Sequence, residues 1–124
     1  MSEPSRQPRQ KVSRDGLLLI KSLEGLRTRA CRLAGGGWVV GYGHTRSARE
    51  GATVSEAEAE LLLQYDLLPV VAAVNDHVTA PLNRRQFDAL VSFAFSVGVA
   101  RFAASDVVQR LNAGATAEAL EALK

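Results

Sequence analysis

Apolar positions recur along the chain in two rhythms, and the switch between them divides it. Residues 14 to 24 keep a helical rhythm, with Leu17, Ile20, Leu23 and Glu24 on one stripe. Ser13 is placed to cap this helix, and Asp15 in its first turn favours the positive end of the dipole. Glu24 stands seven residues beyond Leu17, which leaves it only about 20° off the same azimuth. The carboxyl therefore closes the apolar stripe instead of facing water. Desolvation there raises a carboxyl pKa and suits it to general-acid work; an ion pair with Arg27 or Arg29 is the alternative reading. Gly25 stops the helix. Residues 26 to 33 then read as extended chain, Gly35-Gly36-Gly37 as a tight turn, and Trp38-Val39-Val40 as a return strand. Gly41-Tyr42-Gly43-His44-Thr45 closes this predicted hairpin.

Beyond a polar loop over 46–53 the helical rhythm returns. Ser55-Glu56-Ala57-Glu58 has the spacing of a capping box, and the helix it opens is predicted to bury Leu61, Leu62, Tyr65 and Leu68. Pro69 is expected to end or kink that helix, with Val70, Val71, Val74 and Val78 continuing the apolar face. Asn83 caps a predicted helix over Arg84–Val97. There Phe87, Leu90, Val91, Ala94 and Phe95 fit the amphipathic template at every position, which marks a central core helix ending at Gly98. A shorter helix spans Ser105–Ala113 and stops at Gly114; a last one starts at Thr116 and is cut at Lys124. The expected organisation is a flexible arm over residues 1–12, rich in proline and arginine, and one domain over 13–124 truncated at its C-terminal end.

Composition narrows the function classes. Hydrophobic residues make up 47% and charged ones 23%, the balance of a globular domain. No run of apolar residues is long enough for a membrane span, and no leader pattern precedes the first helix. The single cysteine, Cys31, fits a reduced intracellular setting. Residues 1–50 hold ten Lys/Arg against four Asp/Glu, and residues 51–124 five against nine. This asymmetry favours head-to-tail self-association or an acidic partner, with merely solvated charge as the alternative; nucleic-acid motifs are absent. His44 and His77 have no partners at metal-ligand spacing, and no serine sits in a nucleophile turn, so neither a metal nor a cofactor is expected.

The stretches EG (24–25), WVVGYGHT (38–45), GATVSEAEAELLLQYDL (51–67), PLNRRQFDALVSFAFSVG (81–98) and RLNAG (110–114) together resemble the phage-type lysozymes, or muramidases, in collinear order. The resemblance implies an α+β, mainly helical fold: a small β-hairpin lobe, a long connecting helix and a helical lobe, with a glycan cleft between the lobes. It also implies a glutamate at the end of the first helix, an aspartate nine residues on and a threonine six further. Those positions are Glu24, Leu33 and Val39 here, and Ser96 stands where asparagine is usual. Only the acid remains. An inverting glycosidase also needs a carboxylate to activate water on the opposite face of the sugar. Losing such a base costs about 10²- to 10⁴-fold. Glu50 is the one candidate substitute. The expectation leans away from an enzyme, with Glu24 as a vestigial general acid.

The same retained glutamate, with REGATVSEAEAELLLQYDL (49–67) and AVNDHV (73–78), resembles more narrowly the degenerate muramidase-like domains of bacterial polar scaffolds. That resemblance implies a homo-oligomer placed in the cytoplasm at the cell pole. It also implies recruitment of a membrane histidine kinase and a tether to the inner membrane through segments outside this chain. Peptidoglycan binding would be weak or absent; a conditional hydrolase and a non-hydrolytic glycan-binding module are the alternatives. Leu33, Trp38, Val39, Tyr42 and His44 are the candidate cleft or interface residues. Two readings of Leu33 and Val39 stand side by side: an exposed apolar patch beside Trp38, or side chains turned into the core.

Overall fold

The computed structural model describes residues 9–121 and resolves into two compact units. Residues 18–68 form a hairpin unit; the described residues up to Leu17, together with those from Pro69 onward, form a helical unit. The element order is α1 (Arg14–Glu24), β1 (Arg27–Arg32), β2 (Trp38–Gly41), α2 (Glu56–His77), α3 (Arg84–Val97), α4 (Val99–Ala103), α5 (Asp106–Asn112) and α6 (Thr116–Glu121). The fold is α+β and mainly helical, with one two-stranded antiparallel sheet. Among the described residues no helix is long and apolar enough to cross a membrane.

In the hairpin unit β1 and β2 pair in the register Arg27↔Gly41, Cys31↔Val39 and Arg32↔Trp38, with an irregularity between Arg27 and Cys31. Leu33 closes the turn: its N–H donates to the Gly37 carbonyl at 2.9 Å and its carbonyl accepts from Gly36 at 3.0 Å. The free edge of β1 is then met by the returning loop, through Ala30 N–H to Ala52 and Val54 N–H to Thr28. The loop over 46–53 is thus partly a third, short rung. α2 opens with the predicted capping box, Ser55 Oγ accepting from Glu58 N–H at 3.0 Å and Glu58 Oε1 from Ser55 N–H at 2.9 Å. The Ser55 N–H first, and the Ser55 hydroxyl after it, hold the exposed Glu58 carboxyl below its ordinary pKa.

Two expectations about α2 need correction. The helix does not end at Pro69 but continues to His77. Proline there removes one hydrogen bond, to the Tyr65 carbonyl, on an exposed side of the helix where water can replace it. The buried face is the predicted one at Val70, Val74 and Val78 but not before Pro69. Ala59, Leu63, Leu67, Val70, Ala73, Val74 and Val78 are buried, whereas Leu61, Tyr65 and Leu68 are 66%, 63% and 63% exposed. Leucines surround α2 between residues 61 and 68, so periodicity alone left two faces open. On α1 the stripe narrows likewise: Ile20 is buried, but Leu23 is exposed.

The helical unit is centred on α3 as predicted, with Phe87, Leu90, Val91 and Ala94 buried together with Phe102, Val107, Val108 and Leu111. The Asn83 cap is present and is completed by Gln86, whose side chain reaches back to the Asn83 N–H. Phe102 meets Phe93 edge to face at 6.2 Å and belongs to α4, a short helix the sequence reading did not separate. Asn112 ends α2 by donating to the His77 carbonyl and accepting from Thr79 N–H, both at 2.8 Å. Of the arm expected over residues 1–12, residues 1–8 lie outside the described residues. Gln10 is tied to Asn75 and to the Leu82 carbonyl, and Arg9 pairs with Asp76.

The buried carboxylate of Asp88 joins α3 to the start of α1. Its oxygens accept from Ser13 N–H at 2.9 Å and from Ser13 Oγ, while Ser13 Oγ accepts from Gly16 N–H at 3.1 Å, so the cap and the inter-helix contact are one network. A methyl group on Gly16 would stand 2.5 Å from Asp88 Cγ and 2.8 Å from Val12 Cγ2. Helix propensity alone says that Gly16→Ala stabilises by up to about 1 kcal/mol. We expect the opposite sign, a loss of about 1–3 kcal/mol from overpacking, read by urea denaturation. A variant at least as stable as the parent would refute this packing account.

Candidate functional site

The residues singled out by sequence fall within the hairpin unit. Glu24 ends α1 half-buried, and the turn at Gly25 brings β1 back beside it. Burial raises its carboxyl above the ordinary pKa of 4.5, and the Arg27 guanidinium works in the opposite direction. Arg27 also donates from Nη1 to the Glu24 carbonyl at 3.3 Å. Of the two arginines considered from sequence, Arg27 is thus the one that acts on Glu24. The net direction is that of a proton donor.

The five candidate interface residues separate by burial. Val39, Tyr42 and His44 are buried, so of the five only the half-buried Trp38 and Leu33, which is 39% exposed, present surface to a partner. The two readings of the altered pair therefore divide between its members. Val39, opposite Cys31 across the sheet, thickens the core, while Leu33 at the turn faces solvent.

His44 is an internal fastener. Its backbone exchanges both hydrogen bonds with Val40 at 2.9 Å, closing the three-residue loop Gly41-Tyr42-Gly43. Gly41 has φ +66°, and a Cβ on it would stand 3.2 Å from Ala59 Cβ, so glycine is needed both for the turn and for contact with α2. The imidazole Nδ1 lies 2.7 Å from Asp66 Oδ2 on α2, and Nε2 lies 2.6 Å from Ser47 Oγ. Ser47 N–H also donates to Nε2 at 3.3 Å, which assigns Nε2 as acceptor and the ring proton to the Asp66 side. By residue type this is a Ser-His-Asp set. In a nucleophile turn, however, backbone N–H groups face a developing oxyanion; here the Ser47 N–H faces the imidazole. The arrangement fixes structure.

The remaining carboxylates of the hairpin unit are mostly committed. Glu58 belongs to the capping box, Glu60 pairs with Lys21, and Asp66 holds His44. Lys21 lies 5.4 Å from the Tyr42 ring centroid as well. Glu50 sits exposed in the loop after β2, and Glu56 in the first turn of α2. Among the described residues no group of three His, Cys, Asp or Glu side chains could hold a metal ion. The hairpin offers a proton donor, and the positions nine and fifteen residues beyond it are hydrocarbon.

Because burial raises the Glu24 pKa, the folded chain binds this proton more tightly than the unfolded chain. The resulting stabilisation is complete below the unfolded value near 4.5 and is lost as pH rises through the higher folded value. We therefore expect Glu24→Gln to gain stability relative to the parent as pH rises through that window, by chemical denaturation on either side of it. Arg27→Ala should move the Glu24 carbon resonance midpoint further up in an NMR titration. A Glu24 midpoint below the ordinary value would contradict both.

The sequence model of the phage lysozyme family matches residues 21–124. The endolysin of Acyrthosiphon pisum secondary endosymbiont phage 1 is 38% identical over 103 residues, covering 83% of this chain and 70% of that protein. The endolysin of Salmonella phage P22 is 36% identical over 106 residues, covering 82% and 73%. Among solved structures, the muramidase domain of SpmX from Asticaccaulis excentricus superposes with a TM-score of 0.89 at 55% identity, over 92% of this chain and 78% of that one. An endolysin from Escherichia coli O157:H7 phage FAHEc1 gives 0.84 at 34%, over 93% and 77%. A helix ending in a half-buried glutamate, a glycine-closed hairpin fastened to a long helix, and a helical unit around α3 thus have their relatives in one place: this chain belongs to the phage lysozyme family.

Proposed function

We propose that this chain is a catalytically degenerate lysozyme-like domain that works as a self-associating scaffold at the cell pole and recruits a membrane histidine kinase. The observation that carries the proposal is the hydrocarbon at Leu33 and Val39. A protonated Glu24 can give its proton to a glycosidic oxygen. Cleavage by inversion then requires a carboxylate to take a proton from water on the opposite face, and cleavage by retention requires one to attack the sugar. Leu33 can do neither, and Val39 is buried without a polar atom to position water. Exposed at the turn beside the half-buried Trp38, Leu33 instead offers an apolar contact of the kind interfaces use at their centres. The scaffold role, the pole and the kinase come from the resemblance of the sequence to polar-scaffold domains; the similarity to the muramidase domain of SpmX supports the lysozyme-like domain on which that reading rests. In it the chain works in the cytoplasm, tethered to the inner membrane by segments outside this sequence.

A second reading has its own support. The raised pKa of Glu24 is what a general acid needs, and the curated relatives are named endolysins. A residual peptidoglycan hydrolase, with Glu50 as substitute base, is the runner-up.

Turnover on purified peptidoglycan at high protein concentration separates the two. We expect the parent to be indistinguishable from Glu24→Gln, and Leu33→Asp with Val39→Thr to raise turnover, by at most about 10²- to 10⁴-fold. Parent turnover abolished by Glu24→Gln would favour the hydrolase. For the scaffold, sedimentation velocity should show oligomers growing with concentration, weakened by Leu33→Lys without loss of folding. A single monomeric species at every concentration would remove the self-association reading.

A further inference from the structure

The hairpin carries charge of one sign. Residues 27–49 hold five arginines, Arg27, Arg29, Arg32, Arg46 and Arg49, and no aspartate or glutamate. Acids stand only at the two ends of this run, Glu24 before it and Glu50 after it. The carboxylates that form ion pairs among the described residues do so with other groups: Asp76 with Arg9, Glu60 with Lys21 and Asp66 with His44. Arg27 is engaged with Glu24. The guanidinium groups of Arg29, Arg32, Arg46 and Arg49 meet no carboxylate among the described residues. Like charges left without counter-charges repel one another, and an anionic surface relieves that repulsion.

The backbone gathers these cations within the hairpin unit. Five of the six residues of β1 are exposed, so its side chains are not taken up by the core. The loop over 46–53 returns along the free edge of this strand, with Ala30 N–H donating to the Ala52 carbonyl at 2.8 Å and Val54 N–H to the Thr28 carbonyl at 2.9 Å. The Arg49 carbonyl accepts from Ala52 N–H at 3.0 Å. Arg49 therefore stands beside the strand that carries Arg29 and Arg32. Trp38, the one tryptophan of the chain, lies half-buried directly opposite Arg32 across the sheet.

We propose that the arginine-bearing strand and loop of the hairpin are a docking surface for an anionic lipid bilayer. The inference goes beyond the scaffold reading and does not depend on it. Charge complementarity is the first support, since guanidinium groups bind phosphate oxygens in a bidentate fork. The spread of the charges is the second. They come from a strand and from the loop along its edge, with no carboxylate between them, so a plane of headgroups meets them together in any register. A folded acidic partner must instead match their positions, and the glycine turn beside them lacks the side chains that anchor protein contacts. Trp38 is the third: an apolar ring with one polar N–H suits the level of the headgroups. Where a tether already holds the chain at a membrane, as in the scaffold reading, even a weak contact of this kind fixes which side of the domain faces the lipid.

Vesicles of phosphatidylglycerol mixed with phosphatidylcholine, and vesicles of phosphatidylcholine alone, test it by flotation with the full chain. We expect binding to the mixed vesicles only, with the Trp38 emission moved to shorter wavelength. Binding should be lost near 1 M salt, where the screening length falls to about 3 Å. Each elementary charge near an anionic surface changes partitioning about fivefold. Arg46→Gln with Arg49→Gln removes two charges and should weaken binding at least about tenfold; Arg29→Glu with Arg32→Glu changes four and should weaken it at least about 10²-fold. Circular dichroism and thermal melts confirm folding, and if the strand pair does not fold the loop pair decides. Equal binding to both kinds of vesicle, or binding unchanged by the loop pair, overturns the inference. Binding to polyglutamate with none to the mixed vesicles also overturns it and assigns the face to an acidic protein. Failure on vesicles leaves the scaffold reading standing, because that is measured by sedimentation without lipid. A monomer that binds the mixed vesicles removes the scaffold reading and sustains this one.

Discussion

One imidazole with both nitrogens engaged holds the hairpin unit together. Through its backbone His44 closes the loop after β2; through Nδ1 it reaches Asp66 in the middle of α2, and through Nε2 it holds Ser47 at the start of the next loop. Both His44 and Asp66 are largely removed from water, so neither can lose its partner without leaving a buried polar group unsatisfied, at about 1–3 kcal/mol. The buried apolar groups of the unit come from each of its elements: Ile20 from α1, Val39, Val40 and Tyr42 from the hairpin, Ala59, Leu63 and Leu67 from α2. The functional residues sit on elements whose positions follow from it. Glu24 is held at one end, Leu33 at the far turn of the same hairpin. A site may lose its chemistry while this frame stays, because the bond between His44 and Asp66 uses neither Leu33 nor Val39.

Much of this was legible in the sequence where one residue decides one local interaction. Ser13, Ser55 and Asn83 each cap the helix predicted to follow, because the reach from a cap side chain to the backbone two or three residues on is fixed by helix geometry. The triple glycine and the GYGH loop gave the hairpin for the same reason. What failed was the choice between faces. Residues 61 to 68 offer leucine in nearly every direction, and the side that is buried is decided by Asp66 turning toward His44, a partner far back in the chain. Asp88 was missed on like grounds: an acid in an amphipathic helix reads as solvent-facing until Ser13 is seen to need it. At the site, the resemblance to the lysozymes pointed to Leu33 and Val39 without distinguishing an exposed side chain from a buried one. Adjacent strands present alternate residues to opposite faces, and which face is inward is set by packing on α2.

Leu33 and Val39 put hydrocarbon at the two hairpin positions where the family resemblance leads one to expect an aspartate and a threonine, Leu33 exposed at the turn and Val39 buried in the core. The retained Glu24 is consistent with this: half-buried at a helix end and balanced by Arg27, it can be kept by its surroundings with no reaction to perform.

The contact between Gly16 and Asp88 carries a consequence for how this sequence can change over time. Two positions remote in the chain share one small volume, and the occupant of each sets what the other may hold. Any side chain at 16 becomes tolerable only after the carboxylate at 88 has been shortened or removed, and removing it first strands the Ser13 cap. The path between a glycine–aspartate pair and a larger–smaller pair therefore passes through a weakened intermediate in either order. Such pairs are expected to be inherited together, so that position 16 would report on position 88 in any set of related sequences, and a graft of α1 from one relative onto the helices of another would succeed or fail on this pair.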